Sequence, residues 1–355
     1  MEINKFIKNL LQKEIKMSLG SEEGSLSVRG NIKNLTSEDK KTIVEFKKEI
    51  LAFLEKNRPA KKQEQQIPLV KKSDSYRLSS SQSRLWILSQ FEGTSASYNM
   101  PNRISLPGDV QLEVLSKAIH AVVSRHEILR TIFKEDEQTG EVRQHILEDL
   151  EIKIDYQDFS NHKESNETIN TYINKDAYSE FNLATGPLFR VSLLKSADDS
   201  FVLYYNMHHI ISDAWSMNIL LRDIMTFYDH FKEKQTPPVI PELPIQYKDY
   251  AHWQQEQLTG NTYRKHQDFW RDQLSGDIPR LELPTQLSRP QIRTVNGHKL
   301  STYIDTESVQ LMREYLRQHG GSTFMFLTSI FKVLCYRYTG EADITVGTPI
   351  AGRNH

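Results

Sequence analysis

The spacing of apolar residues changes several times along this chain, and each change marks an element. Ile3, Phe6, Ile7, Leu10 and Leu11 recur at helical spacing and predict a first amphipathic helix. MSLGSEEGSLSVRG follows, with two short strand-like runs around a Gly-Ser-Glu-Glu-Gly turn. Thr36 with Asp39 has the form of a helix start. Ile43, Phe46, Ile50, Phe53 and Leu54 then continue as the buried stripe of a second helical region. Residues 1–57 therefore read as a small separate unit, whose limited core leaves apolar surface for a partner. Residues 58–75 carry two prolines and little periodicity, which predicts a linker.

From Tyr76 onward helices and strands alternate. Leu112, Leu115, Ile119, Val122 and Val123 share one face of a helix ending near Arg125 and His126. VRQHIL and IKIDY read as strands. FRVSLLK and FVLYYNM form a hairpin about SADDS, and the second run is continuous enough for a central strand. Asp213 or Ser212 caps the next helix, with Ile219, Leu220, Ile224 and Phe227 inward. After an extended proline-rich crossing at 236–244, helices are expected over 247–258 and 262–274. A strand near 298–304, an apolar helix over 323–338 and the strand DITVG complete the pattern.

Composition narrows the class. At 355 residues the chain suggests two or three folded units. A charged content of 26% against 38% hydrophobic is that of a water-soluble protein. A formal net charge of −1 gives no general pull toward nucleic acid or an anionic membrane. With Cys335 as the only cysteine no internal disulfide can form, and a reducing, cytoplasmic setting is expected. No apolar run approaches membrane-spanning length, and the first residues lack a signal peptide's pattern.

The candidate chemistry sits in NMHHIISDAWS, at the end of the predicted central strand. Neighbouring strand residues point to opposite faces, so one of His208 and His209 faces a cavity while the other packs inside. Imidazole suits proton transfer because its ordinary pKa is about 6.5. Zinc fits poorly, since adjacent histidines on opposite faces do not converge on one ion. A serine nucleophile also fits poorly, because Ser212 and Ser216 lie outside any Gly-x-Ser-x-Gly turn.

The order of motifs from Tyr76 to the last residue resembles the condensation domain of nonribosomal peptide synthetases. LSSSQSRLWIL (78–88) is similar to that family's opening motif, with Ser81 where alanine is usual. RHEILRTIF (125–133) matches its second motif, and MHHIISDAWS its active-site motif with Ala214 in place of glycine. YKDYAHWQ (247–254) and VGTPIAGR (346–353) are similar to two more. The resemblance implies a mixed α/β, chloramphenicol-acetyltransferase-like fold of two lobes, 76–245 and 246–355, with a tunnel between them. It also implies amide formation between a donor acyl thioester and an acceptor aminoacyl thioester. Both arrive on phosphopantetheine arms of carrier proteins, with no metal or dissociable cofactor. His209 becomes the tunnel-facing imidazole, acting as base or orienting the amine. His208 supports the backbone, and Asp213 is structural through an ion pair to Arg353. Arg125 and Arg130 are candidates to support the site from behind, and Trp253 packs at the lobe junction. The intact RLW, RHE and HHIISD details are nearest the subtype joining two L-configured residues.

The first unit resembles the helix–hairpin–helix docking domains found at the start of some synthetase subunits, of the type described in tubulysin assembly. That likeness implies that the hairpin, through Lys16, Leu19, Leu26, Val28 and Arg29, receives the C-terminal peptide of an upstream subunit. Family members continue beyond the fifth motif into more of the second lobe and then adenylation and carrier domains. An incomplete second lobe and little activity for the fragment alone are therefore expected. An ester-forming or coenzyme A-dependent acyltransferase, and a silent carrier-binding platform, are the competing readings.

Overall fold

The computed structural model describes residues 3–13, 15–19, 25–30, 34–56, 66–91, 95–162, 164–234, 236–284, 297, 300–350 and 352. They fall in two compact units, divided between Gln66 and Ile67.

The first unit begins with helix α1 (Ile3–Gln12), whose Leu10 is buried while Leu11 at the edge of the stripe stays half exposed. Strands β1 (Ile15–Leu19) and β2 (Leu26–Gly30) form an antiparallel hairpin in which Met17 pairs with Val28 and Leu19 with Leu26. The second helical region is broken at Phe46 into α2 (Ser37–Glu45) and α3 (Lys47–Lys56). Thr36 caps α2 reciprocally with Asp39. Lys13, 2.7 Å away, and the Thr36 donors hold the Asp39 carboxyl down at about 2. Leu10, Ile15, Met17 and Ile50 form the core, with Leu26 and Val28 packed against it. Of the expected docking set, Leu26 and Val28 are partly buried against this core, because cross-strand partners share a face and Met17 is buried. Lys16, Leu19 and Arg29 are described by backbone alone, Lys16 opposite Arg29 in register.

In the second unit, residues 67–75 are not a free linker. The Val70 N–H donates to the Asp249 carboxylate at 2.8 Å, and the Ser73 N–H donates to the Tyr76 hydroxyl. A short strand β3 (Tyr76–Arg77) precedes helix α4 (Ser80–Ser89), which Ser79 and Gln82 cap reciprocally. Then come β4 (Asn102–Pro107), α5 (Leu112–Arg125), β5 (Thr131–Glu135), β6 (Val142–Ile146), β7 (Ile154–Asp158) and α6 (Ser165–Ala177). The hairpin β8 (Phe189–Ala197) and β9 (Ser200–Met207) leads into α7 (Ala214–Lys234).

The main sheet runs β4-β9-β8-β7, with β7 parallel to β8 across the α6 crossover and the other pairs antiparallel. A smaller sheet runs β3-β6-β5. Alternation along β9 decides what each face does. Phe201, Leu203, Tyr205 and Met207 join the large core with α5 and α7, whereas Val202 and Tyr204 pack on the opposite side with Ile169 and Tyr172 of α6. Gly186 in the turn into β8 has φ +64°, which favours glycine, and a Cβ there would stand 3.1 Å from an Ile132 methyl that would have to shift by a few tenths of an ångström.

Helix α8 (Tyr247–Gln257) is the first element past the expected lobe boundary at 245/246. It is bonded to the first lobe throughout: Tyr247 to Ser79, Lys248 to Glu127, Gln254 to the Ser80 N–H and Gln255 to the Leu78 carbonyl. Helices α9 (Gly260–Gln273), α10 (Thr306–His319) and α11 (Thr323–Thr339) follow. Among the described residues of this last part, only Cys335 and Ile344 are buried. Neither strand expected near 298–304 and 343–347 appears among the described residues: 300–304 and 343–347 are irregular and meet no pairing backbone. No described helix is long and apolar enough to cross a membrane.

Candidate active site

The central strand delivers the two histidines to a turn. β9 ends at Met207, and the His208 N–H donates to the Leu188 carbonyl at the start of β8. The His209 N–H donates to the Tyr98 carbonyl at 2.8 Å, and the Met100 N–H donates to the Met207 carbonyl. Main-chain bonds from both sides thus fix the strand tip before any side chain is considered.

The side chains then part. His208 is fully buried, its ring near those of Tyr98 and Phe181, each with centroids 6.3 Å away. Its Nδ1 accepts the Ile210 N–H at 3.1 Å, so the proton of the neutral ring resides on Nε2, which has no hydrogen-bond partner among the described residues. Burial, and secondarily the charge on neighbouring His209, push the His208 pKa down to about 4. A ring so held is neutral at physiological pH and is a poor base. His209, by contrast, is exposed on the turn.

Stability depends on pH as a result. The unfolded chain protonates His208 near pH 6.5, the folded chain only near 4, so its contribution is whole above pH 6.5 and falls away as pH drops toward 4. The loss amounts to about 3 kcal/mol. Urea titrations from pH 7 to 4 are expected to show it, and His208→Leu is expected to flatten the part of the slope that His208 causes.

Asp213 precedes α7 and accepts from the Ser216 N–H at 2.8 Å and from the Ser216 hydroxyl at 2.6 Å. It is a helix cap, and Asp213→Ala is expected to cost about 1–2 kcal/mol in thermal unfolding, with Asp213→Asn milder. Arg353, its expected ion-pair partner, lies outside the described residues. Ala214 begins α7 in helical conformation, where alanine is the best helix former and no left-handed backbone is required. Trp215 beside it is exposed. Ser81, the other departure from the motif pattern, is exposed in the first turn of α4.

The RHE segment does different work from that expected. Arg125 Nε lies 3.5 Å, and His126 Nε2 2.8 Å, from Asp223 of α7. Glu127 pairs with Lys248 of α8 at 2.7 Å, and Gln246 bonds both the Arg125 carbonyl and the Glu127 N–H. Arg130 donates to the Leu147 carbonyl. Among the described residues no hydrogen bond or ion pair joins Arg125 or Arg130 to His208, His209 or Asp213. Arg125 fastens the end of α5 to α7, and Arg130 fastens the segment after it to the end of β6. Trp253 is half buried against Tyr250 on α8, with centroids 5.9 Å apart. Tyr98, Asn99, Phe181, Asp223 and Lys248 escape sequence reasoning, because their partners are distant in the chain. No group of residues able to hold a metal ion occurs among the described residues.

This strand-tip geometry has known counterparts. The Condensation domain family model matches residues 72–355. Tyrocidine synthase 3 of Brevibacillus parabrevis is 36% identical over 307 residues, 86% of this chain and 4% of that protein. Bacitracin synthase 2 of Bacillus licheniformis is 32% identical over 355 residues, 100% of this chain and 13% of that one. This chain thus spans a small part of the curated relatives it matches. The solved cyclization–docking bidomain of the EpoB nonribosomal peptide synthetase from Sorangium cellulosum superposes with a TM-score of 0.64 at 18% identity, covering 96% of this chain and 65% of that one. The mixed α/β architecture is accordingly the chloramphenicol-acetyltransferase-like one. The match to the family model takes in the strand, the turn and the capped helix just described, and by it this chain belongs to the condensation-domain family of nonribosomal peptide synthetases.

Proposed function

We propose that this chain forms an amide between two carrier-bound thioesters, with His209 as the group that meets the reacting amine. The exposed His209 ring beside a buried, neutral His208 carries the reading. The amine nitrogen of the acceptor attacks the donor thioester carbon. The new N–C bond forms, the C–S bond breaks, and the donor pantetheine leaves as a thiol. The proton lost by the nitrogen passes to His209 Nε2 or Nδ1 and from there to the departing sulfur. An α-amine has a pKa of only ~8, so a modest base, or hydrogen bonding that orients the amine, is enough. No cofactor takes part, and both substrates come on phosphopantetheine arms of carrier domains, in the cytoplasm.

The N-terminal unit, in this reading, docks a preceding synthetase subunit. The 96% match to a cyclization–docking bidomain is reached only by including most of residues 1–66. With Leu26 and Val28 committed to the core, a docking peptide would meet the hairpin through the Lys16 and Arg29 positions, which a tail rich in acidic residues suits.

Acceptor trials test the chemistry. The intact protein, given a loaded donor carrier, is offered a carrier-bound aminoacyl group, an alcohol and coenzyme A thioesters. Product with the amine alone supports amide formation. Preference for the alcohol would make it an ester-forming enzyme, and use of coenzyme A donors would remove the carrier requirement.

A further inference from the structure

Behind the buried histidine lies a charged network that the catalytic reading leaves unused. Tyr204 and Asn206 share one face of β9, His208 follows two residues after Asn206 just past the strand's end, and Arg190 of β8 stands opposite Asn206 in register. At the C-terminal end of α6, the Asp176 carboxylate accepts from the Tyr204 hydroxyl and from Asn206 Nδ2, each at 2.8 Å. Its other oxygen lies 3.1 Å from Arg190 Nε. Arg190 Nη2 donates to the Ser179 carbonyl at 2.7 Å, and its guanidinium lies 3.8 Å from the centroid of the Phe181 ring. The Phe181 ring in turn stands nearly perpendicular to that of His208, with centroids 6.3 Å apart.

The same short segment is gripped from the other side. Asn99 Nδ2 donates to the carbonyls of Ala177 and Ser179, and Asn99 is bridged to His208 through the main chain. The Tyr98 carbonyl next to it receives the His209 N–H. Residues 177–181 therefore form a wedge between two holders, one the Asp176–Arg190 pair and the other Asn99. The wedge ends in the ring that seats His208. Arg190 and Asp176 are only partly exposed, and Asn206 is fully buried, so the pair sits at the margin of a dry interior where its geometry is restrained.

We infer that Asp176, Arg190 and Phe181 are positioning residues that set where the His208–His209 tip stands, and through it the place of the His209 ring. None of the three touches His209; they act through His208, Asn99 and the segment between. The catalytic consequence rests on the proposed role of His209, whereas the positioning itself does not. A guanidinium is required for two reasons. It stacks on Phe181 with its face and directs its edge to a carboxylate and a carbonyl at once, which a lysine ammonium cannot reproduce.

The test combines kinetics with histidine-labelled NMR on the intact protein. Arg190→Gln is expected to move the ring signals of both His208 and His209 and to lower kcat at least about tenfold with KM changed less than about threefold, since sub-ångström misplacement weighs on the reacting step. Arg190→Lys is expected to recover part of kcat. Phe181→Leu, which leaves the ion pair intact, is expected to move the same signals and makes the test if Arg190→Gln folds poorly. Unmoved ring signals in both variants overturn the inference, as does an unchanged kcat when the signals move. If the unaltered protein transfers no acyl group at all, the amide-forming reading fails, and the ring signals alone decide whether the three residues position the tip.

Discussion

Replacing His209 by alanine is expected to slow amide formation about 10²- to 10⁴-fold while leaving the protein folded, the range that a positioned acid–base group contributes. The two halves of that expectation have separate grounds. The chemical half follows from the division of labour at the strand tip. Of the two imidazoles, only His209 is exposed, and His208 is kept neutral with its Nδ1 already engaged by the Ile210 N–H. The structural half follows from where His209 is anchored. Its bond to Tyr98 is made by the main-chain N–H, which alanine retains, and its exposed ring supports no core. A melting temperature within a degree or two of the unaltered protein, measured on the same preparation, separates lost chemistry from lost fold. Transfer that survives His209→Ala would instead point to a platform that recruits carriers without acting on them.

The second large effect concerns the fold that carries the tip. Asp223→Ala is expected to destabilise the protein by about 3–5 kcal/mol, because removing one member of a buried ionic cluster leaves its partners uncompensated. Asp223 is buried on α7 and faces His126 at 2.8 Å and Arg125 at 3.5 Å, with Arg222 at 3.3 Å from its own helix. Arg222 is largely exposed and loses little, so the cost arises at Arg125 and His126, both mostly buried. Since α5 and α7 pack together on the sheet face beneath the histidine turn, the damage extends beyond one contact. Urea unfolding reads the difference directly, and Asp223→Asn, which can still bond His126, is expected to lose less than the alanine variant. A loss below about 1 kcal/mol for Asp223→Ala would mean that the cluster is screened by solvent like a surface pair.

Much of this was legible in the residues because local periodicity and burial agree. α5 begins and ends where its apolar face does, apart from Leu112 at the first position, which stays partly exposed. The β8–β9 hairpin follows from continuous apolar runs, and Leu220, Ile224 and Phe227 turn inward on α7 as their helical spacing predicts, whereas Ile219 is only partly buried and Asp223 shares the buried face. The histidine pair was legible too, since alternation on a strand that ends in a turn puts one ring in and one out. What local pattern misses is of two kinds. Helices α6 and α10 are not among the expected elements; α10 buries none of its described residues and α6 only Ile169. The Asp223–His126, Lys248–Glu127 and Asp176–Arg190 contacts join residues separated by 14 to 121 positions, and a charge in sequence does not announce its partner. The strands expected at 298–304 and 343–347 are missing among the described residues, 300–304 and 343–347, for a related reason: apolar content favours a strand, but only a neighbouring backbone makes one.

The position of Asp213 shows the same limit at a single residue. The sequence marks it as polar, near two histidines and ahead of an apolar helix, which fits a cap, a carboxylate that orients a ring or an ion pair. The structure gives it two short bonds from Ser216, so one of its duties is to start α7 and thereby to end the turn that displays His209.

Single-turnover transfer from a loaded donor carrier to a loaded acceptor carrier decides which imidazole does the chemistry. It is run on the intact protein, side by side for the unaltered form, His209→Ala and His208→Gln. Peptide is expected on the acceptor arm for the unaltered protein, none detectable at matched times for His209→Ala, and a reduced but clear yield for His208→Gln in whatever fraction remains folded. Full yield from His209→Ala with none from folded His208→Gln would assign the chemistry to the buried ring and contradict the role given to His209.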